Sequence, residues 1–288
     1  MVDGPDTVTQ LPRRVLVTGA DGTIGSAVCS ALTANGVEVT GLSQHWRARV
    51  PFTALTGDIT SETDVSAAVK GMDAVVHLAA LGNPTLGTPY EVYRNNTDGT
   101  FNVLAQAGEH GIGRAVIASS INATGIPFNR HRPLPAYYPI DEALPPDLED
   151  AYSLSKRSDE MTAQMAARRW DMTVIALRFP AVLRPEWLPS FAANASEKEV
   201  REGWSYLLLD DAARVVLRSL VAPVTGASVF ALAADHTYMD EPTETLLDRY
   251  APNVPRRRPI PGRQAAVDTT LAREVLRFVP SDTCQQER

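Results

Sequence analysis

Cysteine is nearly absent from the 288 residues: Cys29 and Cys284 fit neither a disulfide framework nor the ligand spacing of a structural metal site. A small stapled secreted scaffold is thereby excluded, and a reducing, cytoplasmic setting without a metal is expected. Long apolar runs are missing as well. No uninterrupted hydrophobic stretch reaches the length of a membrane-crossing helix, and residues 1–10 carry two aspartates and no apolar signal core. A soluble, unexported chain without a membrane partner follows as the expectation. Positive charge is in deficit: Lys and Arg number 27 against 34 acidic residues, a net charge of -7, which argues against a nucleic-acid or anionic-lipid partner. The one dense basic cluster, Arg256-Arg257-Arg258, sits between prolines and reads as a solvated loop.

What the chain does have is apolar content, 44% of its residues, enough for a large core. It also has one punctuated run, Val15-Leu16-Val17-Thr18-Gly19-Ala20-Asp21-Gly22-Thr23-Ile24-Gly25, leading into an amphipathic segment. This is strand, turn and helix. Gly19, Gly22 and Gly25 let the backbone turn sharply and approach a pyrophosphate, while the free N–H groups at the start of the helix, around Thr23 and Ile24, face the anion. The spacing, G-x-x-G-x-x-G, is one residue longer in its first gap than the most familiar dinucleotide fingerprint. A small-molecule dinucleotide site is the reading.

The second strand, residues 37–42, stops at Ser43, where NAD sites commonly place a carboxylate for the adenosine ribose. Here Ser43 is followed by His45, Arg47 and Arg49, which favours NADP, with NAD as the alternative. A third strand ends in Gly57-Asp58-Ile59, and Asp58 reads equally as a receiver of the adenine amino group or as a turn aspartate. Ser61 caps the next helix, with Asp64 three residues on. Residues 74–80 form an almost continuously apolar fourth strand, as a central parallel strand requires, and its His77 reads as a satisfied strand-end histidine. A long helix over 90–110, a fifth strand ending in Ser119-Ser120, a proline-rich loop, a helix over 150–170 and a sixth strand over 172–178 follow. Strands alternating with helices predict a doubly wound parallel α/β sheet. Beyond Phe179 the pattern changes to a smaller cap containing a polar stretch at 194–202, a helix over 210–220, a strand over 228–232 and a helix near 241–250. The divisions are an extension at 1–12, a dinucleotide-binding domain at 13–178 and a substrate-binding region at 179–288, partly interleaved, whose last residues, 281–288, fray.

Tyr152-Ser153-Leu154-Ser155-Lys156 carries the chemistry, because positions four apart on a helix share a face and set a phenol beside an ammonium. A free Tyr has a pKa of about 10, and adjacent positive charge lowers it toward a useful range. Ser120, at a strand end facing the same crevice, is placed to hydrogen-bond a substrate oxygen.

These pieces resemble the extended short-chain dehydrogenase/reductase family, the NAD-dependent epimerase/dehydratase group. The matching stretches are Thr18–Gly25, Gly57-Asp58-Ile59, His77-Leu78-Ala79-Ala80, Asn96-Thr97-Asp98-Gly99-Thr100, Ser119-Ser120, Tyr152 with Lys156, and Leu177-Arg178-Phe179. The resemblance implies a Rossmann-type doubly wound sheet with a small C-terminal substrate-binding cap. It implies Tyr152 as acid/base, Lys156 on the nicotinamide ribose, Ser120 aligning the reacting oxygen, Asn96 ordering the strand ends near the nicotinamide, and Asp58 with Ile59 beside adenine. It further implies a homodimer through helices 90–110 and 150–170, with Val103, Leu104, Ala107, Met161, Met165 and Ala166 lining either that contact or the core.

Departures from the family pattern narrow the activity. Dehydratases of the group place an Asp-Glu pair where this chain has Ile121 and Asn122, so elimination of water lacks its acid and base. Epimerases carry a tyrosine and an asparagine where Thr124 and Ala181 stand, and the region after the sixth strand is short for enclosing a nucleoside diphosphate. The chain is similar to the small, uronate-dehydrogenase-like members. There an arginine holds the substrate carboxylate, and Arg201 falls at a comparable place, although a solvated polar helix is its other reading. The expected activity is an NAD(P)-dependent oxidoreductase interconverting hydroxyl and carbonyl on a small sugar, sugar acid or polyol, with Ser120, Asn122 and Arg201 facing substrate. An epimerase with tightly held cofactor is the alternative, and a silent dinucleotide sensor the third reading.

Overall fold

The computed structural model describes residues 10–195 and 197–281. Cys284 and most of both expected terminal segments lie outside them.

Seven parallel strands make the central sheet. They are β1 (Arg14–Thr18), β2 (Glu38–Ser43), β3 (Thr53–Thr56), β4 (Ala74–His77), β5 (Arg114–Ser120), β6 (Thr173–Phe179) and, after two intervening cap strands, β9 (Ala227–Ala231). Their order is β3-β2-β1-β4-β5-β6-β9. The alternation of side chains across the pleat explains why the middle strands are apolar at nearly every position. Val15, Val17, Ala74, Val76 and Val116 face one layer, where α1 (Thr23–Ala34) supplies Val28, Cys29 and Leu32 and α6 (Leu209–Val221) supplies Ala212, Val215 and Val216. Leu16, Val75, Ala115, Ile117 and Val174 face the opposite layer, built on α2 (Glu62–Val69), α3 (Pro89–Glu109) and α4 (Ala151–Trp170). Each fully buried Val or Leu contributes on the order of 1.5–3 kcal/mol, and both layers meet on the same strands.

Helix starts are where the sequence places them. Thr88 and Glu91 form a reciprocal capping box with Pro89 opening α3, Asp150 accepts from the Ser153 amide to cap α4, and Ser61 caps α2. One strand sits elsewhere than expected. The segment read as a cap strand over 228–232 is β9, and it extends the main sheet beside β6 because α6 acts as a crossover helix between two parallel strands.

The cap itself has a third core, with Tyr138, Trp204, Leu246 and Ile260 at its centre. It contains a two-stranded parallel pair, β7 (Ala181–Leu183) with β8 (Tyr206–Leu208), together with α5 (Leu188–Ala193) and α7 (Thr243–Tyr250), whereas α8 (Thr270–Val275) returns to the main sheet, where Ala272 joins the α1–α6 layer. Among the described residues no helix is long and apolar enough to cross a membrane, and no group of three or more His, Cys, Asp or Glu could hold a metal ion.

Candidate active site

The strand order reverses between β1 and β4, and a crevice of about 350 Å³ opens at their carboxyl ends, the position at which open α/β sheets bind ligands. Gly19, Gly22, Leu42, Ser43, Ile59, Leu78, Ala79 and Ala80 line it. Two glycines have no substitute there. Gly19 has φ +67°, and a Cβ on it would stand 2.7 Å from the Ala79 nitrogen, while a Cβ on Gly25 would overlap the Gly19 carbonyl oxygen. Thr23 and Ile24 open α1 immediately behind, and the helix N-terminus has no side-chain cap hydrogen bond of its own. A cradle that any side chain would fill, ending on uncapped helix amides, fits a dinucleotide pyrophosphate.

Ser43 and Arg47 also line the crevice. Arg47, with 71% of its side chain exposed, is tied to the glycine turn. Its Nε is 2.8 Å from Asp21 Oδ2, and its guanidinium also donates to the Asp21 carbonyl, which lays the side chain across the mouth beside the glycine turn. Asp58 makes turn contacts. Its carboxylate accepts from the Thr60 amide and hydroxyl and from Gln44, while Ile59 is the residue that faces the crevice. Burial pushes the Asp58 carboxyl up, and those hydrogen bonds outweigh it, holding it below its ordinary range.

Ser120, Tyr152 and Lys156 converge where β5 meets α4. Lys156 is 4% exposed, and its ammonium donates to the Ala118 carbonyl, 2.9 Å, and to Asp159 Oδ2, 3.1 Å. Ala118 lies two residues before Ser120, so the lysine ties the helix to that strand end. Ser120 Oγ accepts from both the amide and the Nδ2 of Asn122, each at 3.1 Å. With both lone pairs used, the hydroxyl proton is left to donate. Asn122 Oδ1 is buried without a hydrogen-bond partner. Tyr152, one helical turn before Lys156, packs edge-on against Phe128 with ring centroids 6.0 Å apart. Asn96 bridges from α3: it pairs with both the amide and the carbonyl of Leu81 on the crevice wall, and it donates to Ser155 beside the lysine.

The helix that presents Tyr152 and Lys156 is held by a second buried pair. Arg178 on β6 grips Glu160 bidentately, at 2.7 and 2.9 Å, while Ser119 donates to the same carboxylate at 2.7 Å. Losing one partner of such a pair typically costs about 3–5 kcal/mol.

A polar chain runs behind the site. The Ala79 amide donates to Thr18 Oγ1, which sits 2.7 Å from His77 Nδ1, and His77 Nε2 is 3.1 Å from Thr100 Oγ1. A neutral His77 satisfies both contacts, one ring nitrogen donating and the other accepting. Burial, with Lys156 adding to it, pushes the His77 pKa down to about 3. His77 is therefore a satisfied structural histidine.

Arg201 is the clearest difference from the sequence expectation of a solvated helix. It is 8% exposed, in a 3₁₀ turn over Glu197–Glu202, and it donates to the carbonyls of Lys198, Ile126 and Asn129. Buried backbone carbonyls of the loop after Ser120 need donors, and this arginine supplies them across more than 70 residues of chain. Asp159, which sequence reasoning passed over, carried a readable signal: it stands three residues after Lys156, on the same helix face. Phe128 had none, because its loop has no period.

Comparison with known proteins gives the family and the fold. The profile of the NAD dependent epimerase/dehydratase family matches residues 15–232. The NAD-dependent glucose-6-phosphate dehydrogenase of Haloferax volcanii is 29% identical over 184 residues, 57% of this chain and 66% of that protein, so this chain spans about two thirds of that relative. The uronate dehydrogenase of Pseudomonas putida is 26% identical over 226 residues, 77% of each chain. A solved short-chain dehydrogenase/reductase superfamily protein of Agrobacterium tumefaciens with bound NAD superposes with a TM-score of 0.72 over 95% of this chain and 94% of that one, at 23% identity. With its crevice at the strand-order reversal and its Tyr152–Lys156 helix, this chain belongs to the NAD dependent epimerase/dehydratase family, the extended short-chain dehydrogenases/reductases.

Proposed function

We propose that this protein is an oxidoreductase that interconverts a hydroxyl and a carbonyl on a small sugar, sugar acid or polyol, using NADP in preference to NAD. The observation that carries the reaction type is the trio at the β5–α4 junction. Ser120 keeps its proton free to donate to the substrate oxygen, and Tyr152 exchanges the proton on that same oxygen. Lys156 keeps one of its three N–H bonds for the ribose or the phenolate, the other two being held by Ala118 and Asp159. When bound, the nicotinamide supplies or accepts the hydride; the protein's part is position, proton and exclusion of water. Gly19, Gly22, Gly25 and the start of α1 would hold the pyrophosphate, and Ser43 with Arg47 the ribose 2′-phosphate.

The substrate class rests on what stands around Ser120. Ile121 and Asn122 supply no carboxylate for eliminating water, and Asn122 Oδ1 offers an unpartnered acceptor suited to a polyhydroxylated ligand. The dinucleotide would occupy residues 13–178 and the substrate would be closed in by 179–288. A second copy would pack on α3 and α4, where Tyr90, Phe101, Leu154 and Met161 are exposed; Val103, Leu104, Ala107 and Ala166 belong to the core.

The test is NADPH and NADH consumption, or NADP and NAD reduction, across a panel of aldoses, uronic acids and polyols, with Tyr152→Phe as control. The phenylalanine variant is expected to lose about 10²–10⁴-fold in turnover while binding the dinucleotide within a few-fold of wild type. A variant retaining more than a tenth of the activity removes Tyr152 from the mechanism. Epimerised product without net absorbance change at 340 nm replaces net redox by the epimerase reading.

A further inference from the structure

A lysine in a dry pocket is costly to keep charged. Lys156 is 4% exposed, and its ammonium is useful to ribose and phenolate only while it keeps its proton. The structure gives it one anionic partner at hydrogen-bond distance, Asp159, whose carboxylate is 1% exposed and 3.1 Å away. Asp159 cannot serve the surface or cap a helix, since it lies buried in the middle of α4. Burial pushes the Asp159 carboxyl above its ordinary range, and Lys156 first, then the Thr100 hydroxyl, oppose that shift; its second oxygen, Oδ1, is buried without a hydrogen-bond partner.

We propose that Asp159 is a positioning residue of the active site: its fixed carboxylate keeps the Lys156 side chain an ammonium and aims it, leaving one N–H directed to the ligand. The proposal rests on the reading of Lys156 as a cofactor-binding residue only for its functional consequence. The other charged groups around the pair are accounted for. Glu160, next on α4, is neutralised by Arg178 from β6 and Arg157 from its own helix. His77 from β4 is neutral, β5 presents the Ala118 carbonyl and Ser119, and α3 presents Thr100 and Asn96. Tyr152 is the remaining titratable neighbour. Burial pulls the lysine pKa down, and Asp159 first, then Tyr152, outweigh it, so that it stands above its ordinary value.

The chain's only lysines are Lys70, Lys156 and Lys198, so Lys156 can be followed directly. Protein labelled with ¹³C at the lysine ε-carbon gives three resonances, assigned by Lys70→Arg and Lys198→Arg, and each is titrated from pH 6 to 11. In wild type the Lys156 resonance is expected to keep its ammonium position to at least about pH 10. In Asp159→Asn, which keeps size and loses charge, its midpoint is expected to fall by at least about one pH unit. NADPH affinity, read by fluorescence at pH 7 and pH 9.5, should stay level in wild type and weaken at least threefold in the variant at the higher pH. A structural role alone would move stability and leave the lysine midpoint where it was.

A Lys156 that titrates below pH 9 in wild type, a measurement that needs no variant to fold, overturns the proposal. So does an Asp159→Asn midpoint equal to that of wild type. A lowered midpoint with pH-independent NADPH affinity supports the charge-holding role and overturns the assignment of Lys156 to the cofactor.

Discussion

Arg47→Ala should weaken NADPH while leaving NADH almost untouched, and the size of the effect follows from where the guanidinium is parked. Charge-assisted hydrogen bonds from one arginine to a phosphate are worth about 1.5–3 kcal/mol. To make them Arg47 must loosen its hold on Asp21. That pair is a surface one, with 71% of the arginine side chain exposed, and is worth at most about 1 kcal/mol. The difference, about 0.5–3 kcal/mol, corresponds to roughly 2–150-fold in affinity. NADH, which lacks the 2′-phosphate, should change by less than about twofold. Asp21→Asn should act in the opposite direction, releasing the guanidinium and tightening NADPH by up to about fivefold. The selective loss in Arg47→Ala should also shrink in high salt, because the contact is exposed. Fluorescence titration of both dinucleotides against wild type and the two variants measures all of this. If NADPH and NADH weaken equally in Arg47→Ala, or if wild type prefers NADH, the Ser43–Arg47 wall does not select the cofactor.

Two further outcomes are expected. Because burial lowers the folded-state pKa of His77 to about 3, the unfolded chain takes up its proton first as pH falls below about 6.5. Stability should therefore be lost between about pH 6.5 and pH 3, by up to roughly 1.4 kcal/mol per pH unit from this group. Urea midpoints measured from pH 7.5 to 5.5, above most carboxylate titration, should fall in wild type and fall less in His77→Gln; equal slopes would discard the neutral buried imidazole. On the surface, Phe101 and Met161 are exposed by 53% and 64% on neighbouring helices. Phe101→Lys with Met161→Lys should convert a dimer to a monomer by light scattering at micromolar concentration, and a wild type already monomeric there removes the α3–α4 interface.

What the sequence revealed and what it concealed differ in a physical way. The glycine turn, the Tyr152–Lys156 spacing and the caps at Ser61 and Asp150 are local devices, complete within a few residues, and each could be read directly. Arg201 could not, because its partners are backbone carbonyls of a loop more than 70 residues earlier, and an arginine among glutamates reads as solvated. The three-residue strands β7 and β8 are too short to show a period. The segment forming β9 was visible as a strand, but its neighbour was not, since pairing with β6 depends on where α6 lands. Asp159 was visible as a helical neighbour of Lys156, whereas the chain through Thr100 and His77 exists only once three separate elements meet.

The place of β9 bears on how the protein is made. The last strand of the sheet, and the helix that packs with α1, come from beyond residue 208, after the chain has left the sheet to build part of the cap. While a ribosome is still working through that excursion, the nascent chain carries β6 as an open edge and α1 with an uncovered apolar stripe, both of them surfaces that recruit other chains. At about 5–20 residues per second, the stretch from the end of β6 to the end of β9 leaves them bare for roughly 3–10 s. Aggregation during expression should be most sensitive to substitutions in that interval, and a codon pause placed there should cost more yield than one placed after β9.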